Sequence, residues 1–128
     1  MKALILLAGL LFMGHGHCES VPIEKLIGTW GSSDDGGKTF WGFDQYFANG
    51  TIKSWGTLPE SDKSFRVEAQ YRIKVKFGTF ACLTVTQSQP YMEFVGESWC
   101  DEILEVTDSI FKYRTDDGVI TTLYRQVQ

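Results

Sequence analysis

The side chains able to do chemistry in this chain are few, and their spacing works against catalysis. Its 128 residues contain two histidines, His15 and His17, both in an apolar N-terminal leader. A Ser-His-Asp triad or a Cys-His pair therefore lacks its base, and a histidine-ligated haem lacks its ligand. Cleavage that exposed His17 as a new N-terminus would begin a copper site, but no further histidine follows to complete one. Carboxylates sit side by side at Asp34-Asp35, Asp101-Glu102 and Asp116-Asp117. Neighbours on a strand point to opposite faces, so these pairs suit loops and rims better than shared acid–base work. Residues 32–38, SSDDGGK, match neither a phosphate loop nor a Ca²⁺ loop and read as a solvated hairpin loop. Asn49-Gly50-Thr51 fits a glycosylation acceptor, although a turn already accounts for it. The expectation is a protein that is not an enzyme, with no cofactor and no metal.

Three cysteines remain to be placed: Cys18, Cys82 and Cys100. Residues 1–18 read as an export signal: Lys2 is the positive start, and residues 3–13 are an apolar run too short to span a bilayer comfortably. Cleavage before His17 or before Glu19 both fit. A third option makes Cys18 the lipid-bearing residue of a lipoprotein, the one route by which a membrane would be a partner. If Cys18 leaves with the signal or is acylated, Cys82 and Cys100 are a pair in an oxidising compartment. Two lone cysteines without a nearby histidine make a poor zinc site, so a disulfide is expected. A net charge of −4, with no Lys/Arg cluster, argues against nucleic acid as a partner. The expected location is periplasmic or secreted, in a bacterium.

Residues 65–77, FRVEAQYRIKVKF, alternate apolar and polar without a break. A strand puts such residues on a dry and a wet face; a helix would scatter the charges. Around this segment, further strands are expected at 26–31, 39–48, 51–58, 79–87, 99–106, 109–114 and 119–127. A short lead-in at 21–25 has room for one helical turn. Asn49-Gly50 gives a hairpin signal of type I′, with positive φ at both residues. Eight consecutive strands with mostly tight connections predict an all-β, up-and-down antiparallel meander that hides its edges by closing into a barrel. A two-sheet sandwich is the alternative, but its crossovers need longer connections. Hydrophobic content of 43% and aromatic content of 14% are ample for one such domain, over 19–128.

If strands five and six form a hairpin, Cys82 opposite Cys100 places the turn near Tyr91 and sets Thr84 against Ser98. Both cysteines then share a face. With that face inside, Glu102 points inward; with it outside, Asp101 and Glu105 do. Trp41, Phe43, Trp55, Tyr71 and Trp99 lie on strands whose faces could line one cavity, and with Glu102 they form the candidate site for a small apolar ligand. Bulky rings that simply fill a small barrel are the plainer reading. A different function class is a protein-binding or inhibitor module for an envelope partner, acting through loops 59–64 and 88–97, with Tyr91, Met92 and Phe94 as anchors.

Gly28-Thr29-Trp30 at the first strand and Leu123-Tyr124-Arg125 at the last resemble the lipocalin, or wider calycin, pattern. The resemblance implies an eight-stranded barrel in which Trp30 plugs one end and Arg125 packs across it. It covers nearly the whole mature chain as topology, but by residue only these two spots. The chain is shorter than a typical lipocalin, shows no helix after its last strand, and has only a partial echo of Thr-Asp-Tyr at Thr115-Asp116-Asp117. It looks more like the compact lipocalin-like domains of exported bacterial proteins, many of which have no assigned ligand.

Overall fold

The computed structural model describes residues 21–127; the expected signal and Cys18 lie outside them. Eight strands follow in chain order: β1 Gly28–Ser32, β2 Gly42–Tyr46, β3 Thr51–Thr57, β4 Ser64–Val75, β5 Thr79–Gln89, β6 Ser98–Val106, β7 Ile110–Arg114 and β8 Ile120–Arg125. Each pairs antiparallel with the next, and β8 returns to β1 to close a barrel. The closing seam sets Trp30 beside Arg125 and Gly31 beside Tyr124. Closure leaves neither terminal strand with an unpaired edge. The expected lead-in is one 3-10 turn, Ile23–Leu26, that tucks Leu26 into the core.

The hydrophobic core gathers at one end of the barrel. Trp30, Phe111, Leu26 and Leu123 are fully buried there. Trp30 meets Phe111 edge-on at 5.6 Å, and Tyr46 meets Phe111 at 5.8 Å and Tyr71 at 5.2 Å. Perpendicular ring pairs of this kind place positive edges on negative faces. The opposite end carries the longer connections: β1 to β2, β3 to β4, and β5 to β6.

Two local expectations are corrected. The alternation of 65–77 holds only as far as Ile73, because β4 then runs past the barrel wall and leaves Val75 77% and Phe77 95% exposed. A dry face needs a second layer to cover it, and the overhang has none. The turn after β2 is not type I′. Among the described residues the only positive φ outside glycine is at Asp62, whereas Gly50 has φ 90°. The backbone bonds Phe47 N to Thr51 O (2.9 Å) and Gly50 N to Phe47 O (3.2 Å) instead define a three-residue loop that needs a left-handed residue only at its last position.

Candidate functional site

The end opposite the loops is closed by one arginine. Arg125 lays its guanidinium 4.2 Å from the Trp30 ring centroid. It also donates from Nε to Asp108 O (2.8 Å), from Nη1 to Ile27 O (3.1 Å), and from Nη2 to Lys25 O. Trp30 Nε1 donates to Leu26 O at 2.9 Å. One side chain thus ties the 3-10 turn, the start of β1 and the β6–β7 turn together. The glycine of Gly28-Thr29-Trp30 follows from this. Gly28 has φ 135°, and a Cβ there would stand 2.6 Å from Arg125 Nη1, so a larger residue would displace the guanidinium.

Toward the loop end the barrel holds a cavity of about 260 Å³. Its walls are Ile52, Val67, Ala69, Leu83 and Val85, and its polar groups are Asp44, Asp101, Ser54, Thr115, Tyr46 and Tyr113. Trp99 borders it and remains 38% exposed, which places that ring at the rim. Asp44 reaches the interior because strand pairing sets it opposite Ser54, two residues from the inward pair Tyr46 and Ile52. Ser54 Oγ donates to Asp44 Oδ1 at 2.6 Å. Trp99 Nε1 donates to Asp101 Oδ2 at 3.2 Å, while Asp101 Oδ1 is buried with no hydrogen-bond partner. Burial pushes the Asp101 carboxyl up to about 6; the Trp99 bond opposes this, and the charges of Asp116 and Asp44 add to it. Burial likewise raises Asp44 against the pull of Ser54. Tyr113 is pushed up to about 12, first by burial and then by Asp44 and Asp101, so its hydroxyl stays a neutral donor.

The six candidate ligand residues do not converge. Trp99 borders the cavity. Tyr71 faces inward but packs lower, its hydroxyl donating to Phe47 O at 2.7 Å. Trp41 lies in the connection before β2, 6.4 Å from the Phe65 ring, among residues of the β3–β4 loop and Tyr91. Phe43 and Trp55 face outward, stacked at 5.7 Å, in an outer row that Phe40 extends to Tyr124 at 6.4 Å. Phe40 fits there because Gly31 leaves the room: a Cβ at Gly31 would lie 2.5 Å from the Phe40 ring. Glu102 also faces outward, paired with Arg114 at 3.0 Å.

For Glu102 the reason is the face on which the disulfide lies. Cys82 and Cys100 are bonded across the β5–β6 pair with Thr84 opposite Ser98 as expected. Both project from the outer face, so Glu102 goes with them and Asp101 turns in. Glu105 does not follow Asp101 inward, because a bulge between Ile103 and Glu105 shifts the register. Asp44, Ser54 and Tyr113 are not among the expected site residues, whereas Asp101 is the inward carboxylate expected when the cysteines face outward. A parity signal for them exists: Ile52 and Trp55 are an odd number of positions apart, so only one can face inside.

Among the described residues no group of three or more His, Cys, Asp or Glu could hold a metal ion. No protein-family model matches the chain, and no curated protein matches it. Among solved structures the barrel is similar to that of a lipocalin-like protein from Bacteroides uniformis ATCC 8492, with a TM-score of 0.58 and 12% identity, over 80% of this chain and 99% of that one. At such identity the likeness is one of fold. The architecture is a lipocalin-like barrel.

Proposed function

We propose that this protein is a non-enzymatic binding protein of the bacterial cell envelope that holds one small, largely apolar molecule inside its barrel. The carrying observation is the interior cavity of about 260 Å³, which sets an aliphatic and aromatic wall beside convergent carboxyl and hydroxyl groups. That composition is typical of small-molecule sites, and the volume falls just below the ~300 Å³ at which their usual range begins, so the occupant is small. Eight strands are the number at which a barrel is either filled by its own side chains or holds a single small ligand. Lipocalin-like folds are typically non-enzymatic, which supports a role in binding. The Cys82–Cys100 bond fits a periplasmic or secreted location, since disulfides persist in oxidising compartments.

Native mass spectrometry of the protein purified from its source tests this reading. A small-molecule adduct that leaves on denaturation is expected, and a neutral probe such as N-phenyl-1-naphthylamine should quench tryptophan emission saturably. Tyr91→Ala combined with Phe94→Ala should leave that binding intact. An adduct-free mass with no saturable quenching would sink the proposal. The working surface would then be the loop around Met92, Phe94 and Val95, which are 73%, 42% and 48% exposed.

A further inference from the structure

The polar groups of the cavity are unbalanced in charge. Its lining contains two carboxylates, Asp44 and Asp101, and no Lys, Arg or His. Asp101 is only 9% exposed, yet its Oδ1 has no partner. A buried carboxylate oxygen without a donor is costly, and native proteins satisfy such groups with a donor, a water or a ligand. The other oxygen is already engaged by Trp99, so the open valence at Asp101 belongs to Oδ1.

We infer that the interior site takes a small organic cation, an amine with a compact apolar or aromatic body, whose ammonium is held by Asp101 and Asp44. This rests on the reading of the barrel as a small-molecule binder and supplies the chemical class of its ligand. An ammonium brings the donors that Asp101 Oδ1 lacks, and the resulting charge-assisted bonds are the strong kind. The side chains of Trp99, Tyr46 and Tyr113 all line the cavity, and aromatic faces attract cations. The apolar wall of Val67, Leu83 and Val85 takes the body. Other classes fit worse. An anionic lipid would place its carboxylate against two acids with no cation beside them. A calcium ion needs six to eight oxygen ligands, and two carboxylates fall short of that.

Titration supports the same assignment. The groups facing Asp101 are Asp44 and Tyr46 from β2 and Tyr113 from β7, with Asp116 contributing from the turn beyond. Its partner on β5, Ala81, carries no charge. No positive group offsets the burial that raises its carboxyl to about 6. A bound ammonium would be that group, so amine binding should weaken as pH falls through 6.

Isothermal titration calorimetry on the mature, disulfide-bonded protein tests the inference. The probes are 2-phenylethylamine and tryptamine, their neutral counterparts 2-phenylethanol and tryptophol, and the anions phenylacetate and indole-3-acetate. At pH 7.5 each amine should bind roughly ten- to a hundredfold tighter than its alcohol, the worth of a charge-assisted bond. The anions should not bind measurably. At pH 5 the amine advantage should shrink about tenfold, because only about a tenth of an acid of pKa 6 stays ionised there. Asp101→Asn should erase the amine preference while leaving alcohol affinity in place. Asp44→Asn should reduce it, and Glu105→Gln, on the outer face, should leave it unchanged. Equal affinity for amines and alcohols, or an amine preference that survives Asp101→Asn, overturns the inference and leaves the binding role standing. Failure of all six probes overturns the inference, and the native mass of the purified protein then decides the binding role.

Discussion

Asp101 carries a stability cost that its position makes measurable. Its carboxyl titrates near 6 in the folded chain and near its ordinary value of 3.8 when unfolded. Between these two pH values the folded state holds the extra proton, so stability falls as pH rises through that window and stays lowered above it. A displacement of that size corresponds to roughly 2–3 kcal/mol. Asp101→Asn keeps an acceptor for Trp99 and removes the buried charge. We expect it to raise unfolding stability by about 2 kcal/mol at pH 7 and by almost nothing below pH 4. Urea melts of both proteins across pH 3.5–7.5 would show this. A constant difference at every pH would mean that the carboxyl is not the perturbed group. A variant both more stable and unable to prefer amines is the pattern expected of a group kept for binding rather than folding.

At the scale of elements, Arg125 concentrates the closure of one barrel end in a single side chain. It bonds the backbone carbonyls of Ile27 and Asp108 and covers the Trp30 indole. Arg125→Ala would leave those carbonyls unpaired and the ring uncovered, at an expected cost of about 2–4 kcal/mol in thermal or urea unfolding. Arg125→Lys should recover only part, because an ammonium cannot span several carbonyls as the planar fork does. Equal stability of the wild type and the alanine variant would show that the closure is carried elsewhere. The elements themselves are legible in sequence. Strict alternation marks β4, and the glycine clusters mark the turns, since these patterns reflect backbone sterics. Face assignment is less legible on β2. There the aromatic character of Phe43 predicts an inward ring, yet Gly42, Asp44 and Tyr46 are the inward set. Local hydrophobicity cannot see the outer shelf that Phe40 and Tyr124 build around Phe43 and Trp55. That shelf is a tertiary arrangement.

For the whole molecule, barrel topology can be read because eight short strands with tight connections leave few ways to hide edges. What cannot be read is which side of the β5–β6 ribbon faces the interior, since both choices preserve the Cys82–Cys100 pairing. The cross-link also acts on the unfolded chain, closing a loop with a sequence separation of 18. Replacing both cysteines by alanine should cost about 3 kcal/mol, an effect on the freedom of the unfolded ensemble. Urea midpoints of the double variant and wild type would measure it, and an unchanged midpoint would mean that the unfolded chain is already constrained.

The same covalent tie has a consequence for charge selection. Asp101 and Glu102 are chemically similar neighbours, and a one-residue slip of β6 along β5 would exchange them, sending the longer acid indoors and the shorter one out to solvent. While sulfur joins Cys82 to Cys100, that exchange is forbidden. The bond that pins this register therefore also keeps the shorter acid indoors.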